Sequence, residues 1–249
     1  MINPMDLTGK HIVVTGASSG IGRAACIQAS KLGARVSLIA RNRERLKETI
    51  DLMEGDGHIS FPFDLNDIDE IDGTVRQIVE RNGKIDGLVH CAGPGLFRPI
   101  KLAKPEYVLQ MTQTHYFAFV ELLRSVSDRK RSNCGASLIG ISSVAASRGN
   151  KAQGIYAASK AAMNAVVHSF AKELSDRNIR VNTIAFGMVE TDMYRTFLES
   201  GGNNEDLLQN QFLGLIPLEY AGNAICFLLS DASRYITGST MNYDAGSLS

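Results

Sequence analysis

Thr15-Gly16-Ala17-Ser18-Ser19-Gly20-Ile21-Gly22 stands between a β-branched run, His11-Ile12-Val13-Val14-Thr15, and an amphipathic stretch from Arg23 to Leu32. Strand, glycine-rich turn and helix start therefore follow one another directly. Glycine has no Cβ, so such a turn can bend sharply and bring backbone amides close to an anion. The positive end of the following helix faces the same point. The spacing Gly-x-x-x-Gly-x-Gly differs from Gly-x-Gly-x-x-Gly but applies the same physics, and the turn is read as a pyrophosphate cradle.

Further apolar runs recur at 35–40, 58–63, 86–90, 136–142 and 179–185, with a short one near 240–243. Helical periodicity fills the intervals at about 20–32, 43–54, 67–82, 105–127, 153–176, 204–213 and 219–229. Four to seven apolar residues suit strands covered on both faces, and the intervals are long enough for helical crossovers. The expected fold is α/β, a doubly wound parallel sheet with helices on both faces, formed by one domain over 1–249. The segment 186–216, with Gly201-Gly202-Asn203-Asn204, carries few core signals and reads either as a loop over a substrate pocket or as a plain surface insertion.

Composition limits the function. The 249 residues carry 26 Lys plus Arg against 26 Asp plus Glu, so no global field recruits nucleic acid or an anionic membrane. The basic run Arg129-Lys130-Arg131 is expected to be solvated. Cys26, Cys91, Cys134 and Cys226 are too far apart for a close-spaced zinc set or a disulfide framework, and the five histidines show no paired ligand spacing, so no metal is expected. No stretch has the length of a membrane span, and the short polar N-terminus has no leader pattern, so a cytoplasmic location is expected.

At the end of the second strand the sequence reads Ile39-Ala40-Arg41-Asn42-Arg43, with no carboxylate to grip a ribose 2′-hydroxyl. The Arg41 guanidinium, with Arg43 as a helper, suits a 2′-phosphate and argues for NADP(H) over NAD(H); a solvated arginine at a helix start is the alternative. Asp64, followed by Leu65, could accept from an adenine amino group or cap the next helix. Downstream, Tyr156 and Lys160 are four apart and share one helical face, where an ammonium would lower the pKa of a phenol. Ser143 lies thirteen residues upstream, after a strand, within reach of the same substrate oxygen.

TGASSGIG at 15–22, Ser143, YAASK at 156–160, IRVNTIAFGMVETDM at 179–193 and the closing FLLSDASRYITGSTMNYDAG at 227–246 resemble the short-chain dehydrogenase/reductase family, in its 3-oxoacyl-carrier-protein-reductase-like branch. The resemblance covers nearly the whole chain. It implies a seven-stranded Rossmann-type sheet and hydride transfer between a nicotinamide cofactor and a ketone or secondary alcohol. By resemblance, Tyr156 is the acid/base, Ser143 orients the carbonyl and Lys160 holds the nicotinamide ribose. Gly16, Ser18, Ser19, Gly20, Ile21, Gly22, Arg41, Asp64, Leu65, Ala92, Gly93, Val189 and Thr191 are expected to contact the cofactor together with Tyr156 and Lys160.

Three positions depart from the family pattern. His90-Cys91-Ala92-Gly93 replaces Asn-Asn-Ala-Gly, Thr114 falls where the family has a water-holding catalytic asparagine, and Phe186-Gly187 replaces Pro-Gly. His90 reads as a packed structural histidine or as a substitute donor, and His115 offers another route for protons. Gly95, Leu96, Phe97, Met188, Met193, Tyr194 and Phe197 are expected to complete a partly apolar pocket. The family also implies a homodimer or homotetramer, with Phe117, Leu122, Val166 and Phe170 either at an interface or in the core. The competing function is a dinucleotide-binding regulatory or scaffold protein with weak or lost turnover.

Overall fold

In a computed structural model, which describes residues 3–95, 97–199, 208 and 211–248, seven strands form one parallel sheet. They are β1 (His11–Thr15), β2 (Arg35–Ala40), β3 (Ile59–Pro62), β4 (Ile85–His90), β5 (Ser132–Ser143), β6 (Arg180–Phe186) and β7 (Thr240–Tyr243). Their order is β3-β2-β1-β4-β5-β6-β7, and each neighbouring pair is parallel. The doubly wound Rossmann-type fold expected from the sequence is the fold observed.

Residue alternation explains the two layers. Ile12, Val14, Val36, Leu38, Val89, Ile139 and Ile184 point to one side, where α1 (Gly20–Lys31) and a late helix at Leu218–Leu229 cover them. Val13, Ile39, Leu88, Leu138 and Val181 point to the other, under α3 (Ile71–Asn82), α5 (Ala118–Val126) and α7 (Gly154–Glu173). Each such side chain, fully buried, contributes about 1.5–3 kcal/mol of transfer free energy. The first layer packs closely because Gly222 of the late helix lies against Ala24 and Gln28 of α1, where a Cβ would stand 2.9 Å from the Ala24 carbonyl oxygen.

Among the described residues the remaining α-helices are α2 (Arg43–Asp51), α4 (Pro105–Thr112), α6 (Ala145–Arg148) and α8 (Asp192–Glu199); the late helix is α9. Asn42 caps α2, its Oδ1 accepting from the Arg45 amide at 2.8 Å. Pro105 starts α4, where its missing N–H costs nothing.

Several expectations need correction. The helix expected over 105–127 is bent: Gln113–Phe117 forms a π turn between α4 and α5. Thr112 and Thr114 hydroxyls turn back to the carbonyls of Val108 and Gln110 there, a pattern that bends helices. The helix expected over 204–213 lies mostly outside the described residues, and 211–213 at its end is not helical. Arg131 is not solvated. Its guanidinium packs on Asp72 of α3 and Ser125 of α5, an ion pair that with Arg76 and Arg124 ties α3, α5 and β5 together. Asp72 is held at about 2, chiefly by its hydrogen bond to Arg131. Leu122 belongs to the core, whereas Phe117 is 44% exposed; Val166 and Phe170 are partly buried against the core.

Candidate active site

The strand order reverses direction between β1 and β4, and a crevice opens beyond their carboxyl ends. A cleft of about 570 Å³ occupies it, lined by the turn after β1, the ends of β2, β3 and β4, and the first residues of α8. Its floor is built from backbone. Gly16 has φ +66, and a Cβ there would stand 2.9 Å from the Ala92 nitrogen; a Cβ on Gly22 would overlap the Gly16 carbonyl oxygen. Ser18, Ser19, Gly20 and Ile21 complete the turn along the cleft. Arg23, on α1, secures it by donating to the Ser18 carbonyl at 2.7 Å and to Glu48 at 3.0 Å.

Arg41, Asn42 and Arg45 line one end, with Asp64 and Leu65 opposite. Asp64 serves its own turn, Oδ1 accepting from the Asn66 amide at 3.0 Å, and its other oxygen is 3.9 Å from Arg41. Its side chain closes the turn at Leu65-Asn66 and caps no helix, since the next helical turn starts at Ile68 after Asp67.

At the other end lies a buried polar system. His90 is fully buried and stacks on Phe119 with centroids 5.6 Å apart. Its Nε2 donates to the Thr114 carbonyl at 3.1 Å, and its Nδ1 accepts from Thr15 Oγ1 at 2.9 Å, which itself accepts from the Ala92 amide at 3.2 Å. His90 is thus the packed histidine of the two readings, tying β1 and β4 to the bent helix. Burial, then the Lys160 charge, hold it at about 3. Thr114 lines the cleft and donates to Asn66 Oδ1 at 2.7 Å.

Ser143, Tyr156 and Lys160 come together at the end of β5 and along α7. Ser143 lies close enough to Tyr156 to influence its hydroxyl, and Lys160 Nζ stands 5.8 Å from the Tyr156 ring centroid while donating to the Ile141 carbonyl at 2.7 Å. Burial raises the Tyr156 pKa while the Ser143 hydroxyl lowers it. The expected lowering by Lys160 is not what this arrangement produces, since the ammonium turns to a carbonyl. Burial holds Lys160 itself at about 8.

These three residues do not line the cleft; His115 connects them to it. Its ring packs edge-on against Tyr156, centroids 5.5 Å apart, and occupies the space that a Cβ on Gly93 would need. Ser159 Oγ donates to the Tyr156 carbonyl at 2.7 Å, so it accepts from His115 Nδ1–H at 2.8 Å. That fixes the tautomer and leaves Nε2 as a buried acceptor without a partner. Phe97 packs edge-on against Tyr156 from another direction, centroids 5.5 Å apart.

The sequence profile described as enoyl-(acyl carrier protein) reductase matches residues 16–247. Carbonyl reductase family member 4 of Danio rerio is 33% identical over 236 residues, 94% of this chain and 96% of its own length. 3-Oxoacyl-(acyl-carrier-protein) reductase FabG of Thermotoga maritima is 33% identical over 253 residues, 97% of this chain and 99% of its own. The chain belongs to the short-chain dehydrogenase/reductase family. A solved 7α-hydroxysteroid dehydrogenase, complexed with NADH and 7-oxo glycochenodeoxycholic acid, superposes with a TM-score of 0.90 at 28% identity, covering 99% of this chain and 98% of that one.

Short-chain dehydrogenase/reductases are oxidoreductases that use a nicotinamide dinucleotide, and this chain's cleft fits one: glycines let the turn press on its own backbone and on Ala92, which lays Gly16 and Ser18 to Gly22 along the cleft wall. Val189 is buried beside Ile216 rather than in the cleft lining, whereas Thr191 lines the cleft and its Oγ1 accepts from the Tyr194 amide at 3.3 Å, capping α8. Phe186 is a core residue packed on Tyr243, with centroids 5.7 Å apart. Met193 lines the cleft and lies against Gly95; Leu96 and the Phe197 side chain lie outside the described residues. The sequence reading missed Asn42, Arg45, Asn66, Gln110 and Asp192, all in the cleft wall. Only Arg45 left a signal, a third arginine in the run that begins at Arg41. Among the described residues no metal-ligand cluster occurs and no helix is long and apolar enough to cross a membrane.

Proposed function

We propose that this protein is an NADP(H)-dependent carbonyl reductase or alcohol dehydrogenase, one domain over 1–249, acting in the cytoplasm. The observation that carries this reading is the convergence of Ser143, Tyr156 and Lys160 beside a glycine-built dinucleotide cleft. When bound, the nicotinamide supplies or takes up the hydride. Tyr156 gives the proton to the developing alkoxide oxygen, or removes it in the reverse direction. Ser143 donates to that oxygen, and Lys160 holds the ribose. Gly16, Ser18, Ser19, Gly20, Ile21 and Gly22 hold the pyrophosphate; Ala92, Gly93 and Thr191 border the nicotinamide. Thr114 keeps the bent helix in register with Asn66 and the cleft.

Arg41 supports the phosphorylated cofactor, because its guanidinium is 77% exposed at the cleft edge and its distance from Asp64 leaves it able to turn to a 2′-phosphate. The named activities of the relatives support ketone substrates, including 3-oxoacyl thioesters. Leu109 and Phe117, exposed on the bent helix, support a homodimer or homotetramer, which light scattering of the full chain measures.

The deciding experiment follows NADPH oxidation over a panel of ketones, steroid ketones and 3-oxoacyl thioesters, with Tyr156→Phe as control. Turnover should fall by about two orders of magnitude or more in the variant while NADPH binding persists. Unchanged turnover would overturn the tyrosine's role; tight binding with no turnover on any substrate would favour a regulatory dinucleotide-binding protein.

A further inference from the structure

Arg45 and Asp192 are 147 residues apart in sequence, yet Arg45 Nη2 donates to Asp192 Oδ2 at 3.3 Å and both residues line the cleft. The contact joins the first turn of α2 to the first turn of α8. Arg41 and Arg45 are the only cations among the described residues lining the cleft, and each stands near a carboxylate that also lines it: Asp64 for Arg41, Asp192 for Arg45.

We propose that Arg45 is a second reader of the cofactor's 2′-phosphate, held by Asp192 until the phosphate arrives; this rests on the NADP(H) reading above. The backbone of Arg45 is fixed, its amide donating to Asn42 Oδ1 at 2.8 Å and its carbonyl accepting from Arg23 Nη2 at 3.4 Å. The side chain is 49% exposed and that of Asp192 64%, so solvent screens the pair and holds it weakly. A phosphate carries more charge and three acceptor oxygens, and a guanidinium binds it through two parallel N–H donors. The exchange therefore runs from carboxylate to phosphate. It detaches α2 from α8, whose next residue, Met193, lies against Gly95. A cofactor without the 2′-phosphate leaves the ion pair in place, so the two cofactors leave the start of α8 differently tethered.

The test is fluorescence titration of the full-length protein with NADPH and NADH, comparing wild type, Arg41→Ala, Arg45→Gln, Asp192→Asn and the Arg45→Gln/Asp192→Asn double variant. Arg45→Gln should weaken NADPH about tenfold and NADH by less than about twofold. Asp192→Asn should tighten NADPH about threefold without affecting NADH, and the double variant should match Arg45→Gln. Equal effects on both cofactors, or no effect of Asp192→Asn, would overturn the exchange and make the pair a structural tie. If Arg41→Ala is selective for NADPH while Arg45→Gln is not, only this inference fails. If the wild type does not prefer NADPH, the NADP(H) reading itself fails.

Discussion

The two ends of the cleft are built by opposite means. The phosphate end is backbone and exposed charge: glycines pressed on neighbouring main chain, with Arg41 and Arg45 paired loosely to half-exposed carboxylates. The other end is buried and holds a single ammonium among uncharged groups: His90 and His115 uncharged, Cys91 pushed up to about 12 by burial, Tyr156 raised, and Lys160 held at about 8. Shape and screened electrostatics set affinity at the first, so salt weakens it. Desolvation sets protonation at the second, so pH governs it. One groove thus answers to two different solution variables.

The largest test removes the shape. A Cβ at Gly22 meets a backbone oxygen rather than a flexible side chain, so Gly22→Val should weaken dinucleotide binding by about a hundredfold or more, with circular dichroism checking the fold. Normal binding would break the contrast. Next comes pH at the buried end. His90 falls from an unfolded pKa near 6.5 to about 3, so between those values the unfolded chain binds more protons and stability declines as pH falls. From pH 7 to pH 5 this amounts to about 2 kcal/mol, which urea unfolding of wild type against His90→Gln measures as a smaller pH dependence in the variant.

A third test concerns rate. Lys160 carries its charge below about 8, so carbonyl reduction should fall as pH rises through that value, by about tenfold per unit if the ammonium is required. Lys160→Arg should abolish that descent, because a guanidinium stays charged; a descent that persists would assign it to another group. Smallest is Arg41→Ala, expected to weaken NADPH about fivefold more than NADH in low salt, with the difference shrinking as salt rises. Equal losses for both cofactors would make Arg41 structural.

What could be read in the sequence follows the distance over which each feature is made. The seven strands and the glycine turn are contiguous, so periodicity and spacing display them directly. The π turn at Gln113–Phe117 escapes because apolar residues continue through it at helical intervals. Arg131 looks solvated in a run of three basic residues, and only the folding of α3 beside α5 brings Asp72 to it. The same holds in the site: Asn66 meets Thr114, and Arg45 meets Asp192, through tertiary contacts that local pattern does not encode. Tyr156 and Lys160 were legible as a pair because both lie on one helix, but the rotation of the ammonium toward Ile141 was not.

The Ala92 amide lies on the wall of an open groove, in a segment outside any helix or strand, yet it ends in the chain of contacts through Thr15 and His90 to the bent helix. An isotopic label at that position would therefore be lost only when the strand ends part, on the slow clock of the core rather than the fast clock of a loop. Deuterium uptake at this single amide thus registers the opening of the protein's interior from a residue that also lines the groove.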